Sequence, residues 1–134
     1  MLRVLIVGCG GIAPAHIEGY LSFGDKAKIV GLASINPERA DRLAQQYQLQ
    51  AKVVTDYRQL LGEVDVVSVC TPPAQHASIA CDALEAGCHV LLEKPMAPSL
   101  EECDRILAAA EKNNRILSVV VQSRFISGIK NVID

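Results

Sequence analysis

The feature that most constrains the fold of this chain is an alternation. Short apolar runs rich in Val, Ile and Leu are separated by longer stretches with helical periodicity. Neighbouring parallel strands need a crossover connection, usually a helix, so the alternation predicts repeated βαβ units. The runs predict strands at residues 2–7, 28–33, 52–54, 65–70, 89–92 and 116–121. Right-handed crossovers then predict an α/β fold, a doubly wound parallel sheet of order 3-2-1-4-5-6 with helices on both faces.

Helices are predicted between most of the strands, at residues 12–23, 37–47, 57–61, 75–86 and 99–113. The last of these begins with a good N-cap, Ser99, followed three residues later by Glu102 as in a capping box. Its predicted apolar stripe consists of Leu100, Cys103, Ile106, Leu107 and Ala110. Gly24 and Gly87 lie where helix-ending glycines are expected.

Composition excludes several classes of function. The chain has 134 residues, enough for one domain, and it is 50% hydrophobic with 4% aromatic residues, which suits a sheet covered on both faces. A net charge of −2 offers no basic surface for nucleic acid. The five cysteines include no Cys-x-x-Cys pair, so neither disulfides nor a metal site is expected. No run is long enough for a membrane span or a signal peptide, which predicts a cytoplasmic protein without a membrane partner.

The first candidate site is the glycine-rich turn after the first predicted strand. Gly8, Gly10 and Ala13 occupy the positions of a G-x-G-x-x-G/A motif between a strand and a helix. In such a turn the main chain can approach a pyrophosphate, and the free N–H groups at Gly11 and Ile12 face the anion. This turn predicts the Rossmann type of dinucleotide site. The alternative is a glycine-rich connection that binds nothing.

The end of the second predicted strand bears on the choice of cofactor. An Asp or Glu that holds the adenosine ribose usually stands there, and this chain has Ser34 instead. Serine does not repel a 2′-phosphate, and Arg39 lies one helical turn beyond Asn36, so the pair favours NADP slightly over NAD. Alternatively, Arg39 is an exposed helix residue paired with Glu38 or Asp41.

The fourth predicted strand ends in a rigid segment. Thr71, Pro72 and Pro73 follow the strand, and the two prolines fix an extended turn that suits a wall beside a planar ring. His76 comes three residues later, at the start of a helix, where it either contributes to the site or is an ordinary residue of the first turn.

The fifth predicted strand ends in "EKP". A lysine at this edge, Lys94, faces the crevice where a nicotinamide would lie, and its ammonium can donate to a substrate hydroxyl or carbonyl. The Lys94–Pro95 peptide bond is expected to be cis. The alternative for "EKP" is an exposed salt bridge at a strand end. Gln122 and Arg124, after the sixth strand, are expected to close the far side of the pocket or to be loop residues.

Taken together, these motifs resemble a known family. "GCGGIA", "NPERA", "CTPPAQH", "EKPMA" and "QSRF" occur in the order typical of the N-terminal half of the Gfo/Idh/MocA (glucose-fructose oxidoreductase, inositol dehydrogenase and rhizopine catabolism) oxidoreductases. The resemblance implies that Lys94 lies beside the nicotinamide and the reacting carbon, which makes it the candidate catalytic residue, and that Glu93 orients the lysine or meets the nicotinamide ribose. Ser34 departs from the family pattern.

The resemblance also predicts the organisation and the function. Residues 1–122 would form the dinucleotide-binding domain, and residues 123–134 would begin the connection to an absent C-terminal substrate domain. The full-length protein would transfer hydride between NAD or NADP and a hydroxyl-bearing carbon of a sugar, polyol or related small molecule, as a homo-oligomer. This chain alone would bind the cofactor without turnover. The alternative is a non-catalytic nucleotide-binding or sensing module of the same fold.

Overall fold

A six-stranded parallel sheet forms the centre of the molecule. The computed structural model describes residues 1–125. The strands run in the order β3-β2-β1-β4-β5-β6, as predicted, and all neighbouring pairs are parallel. They are β1 (Leu2–Val7), β2 (Ala27–Ala33), β3 (Lys52–Val54), β4 (Val66–Val69), β5 (His89–Leu92) and β6 (Leu117–Val119). The predicted strand bounds are therefore correct to within two residues.

Within residues 1–125, four α-helices connect the strands. They are α1 (Ala13–Leu21), α2 (Pro37–Gln46), α3 (His76–Glu85) and α4 (Leu100–Lys112). The short helix predicted near Tyr57 is a 3-10 helix, Tyr57–Glu63. The Ser99 side chain accepts a hydrogen bond from the Glu102 N–H at 3.3 Å, which confirms the predicted cap of α4. Gly24 and Gly87 have φ values of +59° and +87°, which suit glycines that follow helices.

Two separate cores lie on the two faces of the sheet. One face packs Val4 and Ile6 of β1 against α1 and α2. The other packs Leu5 and Val7 of the same strand against α3, α4 and the 3-10 helix Tyr57–Glu63. Alternate residues of β1 therefore point into different cores, as the strand geometry requires. This double cover confirms the predicted doubly wound architecture.

The predicted apolar stripe of α4 is partly wrong. Leu100 is 84% exposed and Leu107 is 53% exposed, whereas Ile106 and Ala110 are buried together with Ala109. Successive helix residues differ in direction by about 100°, and the small side chains of Ala109 and Ala110 stay covered where the larger Leu107 extends into solvent. Only the narrow side that contacts α3 and the sheet is covered.

Two further expectations from the sequence can be compared with the described residues. The Lys94–Pro95 peptide bond is cis. All five cysteines are free; Cys9, Cys70 and Cys88 are buried, while Cys81 and Cys103 are half-buried. Within residues 1–125, no cluster of potential metal ligands occurs, and no helix has the length and hydrophobicity needed to cross a membrane. The predicted domain boundary after residue 122 stays a prediction, because residues 126–134 lie outside the described part.

Candidate functional site

Two depressions border the sheet, one at the edge where the carboxyl ends of the strands meet and one beside α1, along a face of the sheet. A crevice of about 830 Å³ lies above β1, β2 and β4. Seven of the predicted site residues line it: Gly8, Gly10, Gly11, Ser34, Arg39, Thr71 and Pro72. An apolar groove of about 400 Å³ beside α1 includes three more, Ile12, Glu93 and Gln122. Pro73, His76, Lys94 and Arg124 line neither depression.

The glycine turn has the backbone geometry that its sequence predicts. Gly8 has a φ of +95°, and its N–H donates to the Ala33 carbonyl of β2 at 2.9 Å. A Cβ at this position would lie 2.8 Å from the main chain of Cys70 and Thr71, so only glycine fits. Nothing lies within 4 Å of the corresponding positions at Gly10 and Gly11. The turn is therefore closed on the protein side and open towards the crevice.

The turn also leaves donors available at the start of α1. Among the described residues, no main-chain carbonyl accepts a hydrogen bond from the N–H of Gly10, Gly11 or Ile12, and α1 has no side-chain cap. The first N–H groups of a helix point along its axis and carry the positive end of the helix dipole. This end of the crevice can therefore bind an anion through the backbone alone.

Thr71 provides a second sign that the crevice fits a ligand. Its hydroxyl oxygen is buried, and it has no hydrogen-bond partner among the described residues. Buried hydroxyls normally have partners because leaving one unsatisfied costs about 1–3 kcal/mol. A polar ligand seated between Gly10 and Thr71 would provide one. The residues present therefore fit a dinucleotide.

Ser34 and Arg39 line the same crevice, at the end of β2 and at the start of α2. The Ser34 hydroxyl accepts from the N–H of Asn36 at 3.1 Å, which fixes the turn into α2. Arg39 is exposed, and within residues 1–125 it forms no ion pair with Glu38, Asp41 or any other carboxylate. The alternative in which Arg39 is held by its helix neighbours is therefore not supported. Arg39 lines the crevice.

One wall of the crevice was missed at the sequence level. It comes from the segment after β3, where the guanidinium of Arg58 lies 4.7 Å from the ring centre of Tyr57. Asp82 of α3 accepts from both side chains, at 2.7 Å from the Tyr57 hydroxyl and 2.9 Å from Arg58 Nε. Burial, together with this carboxylate, raises the pKa of Tyr57. No motif marks this segment. Its place after a strand is the signal that could have found it.

His76 has a different environment from the one expected of a cofactor contact. It is fully buried, with Nε2 2.8 Å from the Thr71 carbonyl oxygen and Nδ1 2.8 Å from the Pro95 carbonyl oxygen. Each ring nitrogen already faces a carbonyl oxygen, so the ring keeps no free polar atom for a ligand. His76 therefore connects the loop after β4 to the turn after β5, behind the crevice. This corrects the expectation that it lines the site.

Two cysteines beside the crevice are chemically inert. Burial raises the pKa of the Cys9 thiol to about 11 and that of the Cys70 thiol to about 12. Both thiols therefore stay protonated near neutral pH, and a protonated thiol is a poor nucleophile. They act as small apolar side chains.

The turn after β5 contains Glu93 and Lys94, which have opposite environments. Glu93 is 6% exposed; its Oε1 accepts from His16 Nε2 at 2.9 Å, and its Oε2 accepts from the Lys94 N–H at 3.1 Å. Lys94 is exposed, and its ammonium forms no ion pair within residues 1–125. The surface salt bridge considered as the alternative for "EKP" is thus not formed. These contacts favour the role of Glu93 as the group that orients the lysine.

A parallel 3-2-1-4-5-6 sheet with an open glycine turn at its carboxyl edge defines the class of dinucleotide-binding Rossmann domains. The chain belongs to a particular family within that class, the oxidoreductase family with the NAD-binding Rossmann fold, whose family model matches residues 2–121.

Several relatives are enzymes that act on sugars or inositols. Inositol 2-dehydrogenase from Salmonella typhimurium is 31% identical over 139 residues, covering 99% of this chain and 41% of that enzyme. D-glucoside 3-dehydrogenase from Escherichia coli is 35% identical over 126 residues, with 92% and 36% covered. The crystal structure of the WlbA dehydrogenase from Bordetella pertussis in complex with NADH and UDP-GlcNAcA is 30% identical, has a TM-score of 0.91 and covers 98% of this chain and 40% of that one. The chain thus spans about two fifths of the length of these relatives.

Proposed function

We propose that this chain is the dinucleotide-binding part of a dehydrogenase that acts on a hydroxyl-bearing carbon of a sugar, a polyol or a related small molecule. The single observation that carries the proposal is the convergence of an open glycine turn, an unsatisfied Thr71 hydroxyl and the Lys94 turn at one edge of the sheet. The sugar and inositol dehydrogenases among the relatives support the substrate class.

Each part of the edge has a distinct task in this proposal. The free N–H groups from Gly10 to Ile12 bind the pyrophosphate, and Thr71 donates to the same ligand. When bound, the nicotinamide supplies hydride transfer. Lys94 is the catalytic residue: its ammonium hydrogen-bonds the substrate oxygen and stabilises negative charge that develops there. Gln122, in the apolar groove, and Arg124, beyond it, close the pocket on the side of β6.

The adenosine end favours NADPH over NADH. Position 34 lacks a carboxylate, so nothing there repels a 2′-phosphate. Among residues 1–125, the charged residues that line the crevice are Arg39, Arg58 and Asp56, and the Arg58 guanidinium is already held by Asp82. The Asp56 carboxylate is also engaged by the N–H of Arg58 at 3.0 Å. Arg39, which has no carboxylate partner among residues 1–125, is the residue proposed to bind the 2′-phosphate.

Parallel titrations with NADPH and NADH test both parts of the proposal. Wild type should bind both, with NADPH tighter. Arg39→Ala should remove the preference by weakening NADPH about tenfold or more, as expected for one lost charge-assisted contact of about 1.5–3 kcal/mol. Ser34→Asp should reverse it, because the carboxylate accepts from the ribose hydroxyls and repels the phosphate.

The control is Arg42→Ala, which removes a second exposed arginine of α2 that does not line the crevice. It should leave both affinities unchanged. Tighter binding of NADH by wild type contradicts the NADP preference, and no binding of either nucleotide contradicts the proposed function itself.

The alternative, a non-catalytic nucleotide-binding or sensing module, predicts the same titrations but no role for Lys94. Lys94→Met in the complete protein separates the two. A dehydrogenase should lose its hydride transfer rate while it retains NADPH affinity, whereas a sensing module has no turnover to lose.

A further inference from the structure

Three buried polar side chains form a hydrogen-bonded chain beneath the Lys94 turn, and the proposed function does not use two of them. Ser68 is fully buried on β4, His16 is 8% exposed on α1, and Glu93 is 6% exposed after β5. The Ser68 hydroxyl oxygen lies 2.7 Å from His16 Nδ1, and His16 Nε2 lies 2.9 Å from Glu93 Oε1. The motifs in the sequence gave no reason to select His16 or Ser68.

We propose that His16 is a positioning residue that holds Glu93, and through it the Lys94 turn, in the geometry that serves the nicotinamide half of the cofactor. This inference rests on the proposed function for the role of Lys94. It goes beyond that function because it gives His16 and Ser68 a shared role in supporting the Lys94 turn. His16 lies 77 residues from Glu93 in the sequence, and Ser68 lies 52 residues from His16.

Glu93 is the buried carboxylate of the hydrogen-bonded chain. A buried carboxylate is stable only when hydrogen bonds and a suitable partner replace its hydration. Both oxygens of Glu93 are engaged, one by His16 Nε2 and the other by the Lys94 N–H. The main-chain N–H of Glu93 also donates to the Val69 carbonyl of β4 at 3.1 Å. The side chain thus links the start of the turn to α1 rather than to solvent.

The imidazole ring of His16 is oriented by a contact at each of its two nitrogens. A carboxylate only accepts, so His16 Nε2 must donate to Glu93. The Ser68 hydroxyl faces the other ring nitrogen and fixes the plane of the ring, much as a partner on the far nitrogen orients a metal-binding histidine. Because Ser68 belongs to a central strand and is fully buried, it gives the chain of contacts a rigid anchor.

The hydrogen-bonded chain borders the same groove as the end of the glycine turn. His16 and Glu93 both border the apolar groove beside α1, together with Ile12 from the glycine turn. The proposed pyrophosphate site therefore lies at the start of α1. His16, which supports the Lys94 turn through Glu93, lies about one helical turn later. Loss of the His16 contact should loosen the turn after β5 without disturbing the glycine turn.

The test compares NADH with ADP-ribose, which lacks the nicotinamide ring. His16→Leu removes the donor to Glu93 and should weaken NADH about fivefold to tenfold, which is about 1–1.4 kcal/mol, while it leaves ADP-ribose unchanged. His16→Gln restores a donor near the Nε2 position and should recover most of the NADH affinity. Ser68→Ala should have a smaller effect in the same direction.

The matched control is His89→Leu. It removes an imidazole from the other end of β5, where His89 Nδ1 accepts from the Ile116 N–H at 3.0 Å. This variant should leave the ratio of the NADH and ADP-ribose dissociation constants unchanged. Thermal unfolding of each variant shows whether it is folded. If His16→Leu is not folded, Ser68→Ala, which removes the partner that orients the His16 ring, makes the comparison with wild type.

A second readout needs no cofactor and separates this inference from the proposed function. Hydrogen exchange at the Lys94 amide, followed by NMR, should be slow in wild type and in His16→Gln and at least tenfold faster in His16→Leu, with the amides of β1 unchanged. An unchanged Lys94 amide overturns the inference whatever the binding results. Faster exchange at the Lys94 amide together with an unchanged ratio of the NADH and ADP-ribose dissociation constants also overturns the inference. If wild type binds no nucleotide, the proposed function fails together with the positioning role that depends on it.

Discussion

At the scale of single residues, the glycine turn contains two glycines with different physical reasons for their identity. Gly8 is required by the protein itself, because its φ is +95° and a Cβ there would collide with the main chain that follows β4. Gly10 has open space around it and an ordinary φ, so the fold does not require it. The motif in the sequence treats the two alike, and only the three-dimensional contacts distinguish them.

Alanine substitutions at these two positions should therefore affect different properties, stability at Gly8 and cofactor binding at Gly10. Gly8→Ala should lower the free energy of unfolding by about 2–4 kcal/mol, the sum of the strained φ and the steric overlap. Gly10→Ala should change it by less than about 1 kcal/mol but weaken NADPH binding, because the added methyl group faces the pyrophosphate. Urea unfolding and fluorescence titration measure the two effects. Equal destabilisation by both substitutions would contradict the proposed division.

At the scale of the element, the ends of the strands were easier to predict than the faces of the helices. The strands were recognisable because buried parallel strands are continuous apolar runs bounded by turn residues. The stripe of α4 was not, because Ile106 and Leu107 are both apolar and only the packing against α3 decides which one is covered. The contact between His16 and Glu93 was equally out of reach, since no local pattern joins residues 77 positions apart.

A comparison of these two neighbours in α4 tests the corrected face. Ile106→Ala should cost about 2–5 kcal/mol of the free energy of unfolding, because Ile106 is fully buried. Leu107→Ala, the matched control, should cost well under about 1 kcal/mol, because half of that side chain is already in water. Chemical denaturation of both variants provides the measurement. A larger effect at Leu107 would restore the stripe expected from periodicity.

At the scale of the whole molecule, the amino edge of the sheet carries an ion pair that influences acid stability. Arg3 donates to Asp65 through its side chain at 2.8 Å and 3.1 Å and through its main-chain N–H at 2.8 Å. These bonds lower the pKa of Asp65 from its ordinary 3.8 to about 2. A carboxylate whose pKa is lower in the folded state stabilises the fold above its unfolded pKa, and this contribution disappears as the pH falls through the folded pKa.

Asp65→Asn should accordingly reduce stability at neutral pH, by a modest amount because the pair is partly exposed. The difference in free energy of unfolding between wild type and this variant should be constant above about pH 5 and should shrink between about pH 4 and pH 2. Arg3→Leu should show the same pH window. Denaturation at a series of pH values measures the difference. If the difference in free energy of unfolding between wild type and Asp65→Asn is as large at pH 2 as at neutral pH, the lowered pKa of Asp65 is not its cause.

Since every strand points the same way, Met1 leaves the molecule at the edge opposite the nucleotide crevice, and it is 77% exposed there. The six residues of β1 separate that end from Gly8 by about 20 Å. An immobilisation tag or fusion partner attached to Met1 would therefore not obstruct cofactor entry, so surface-based kinetic measurements can use the tethered protein directly.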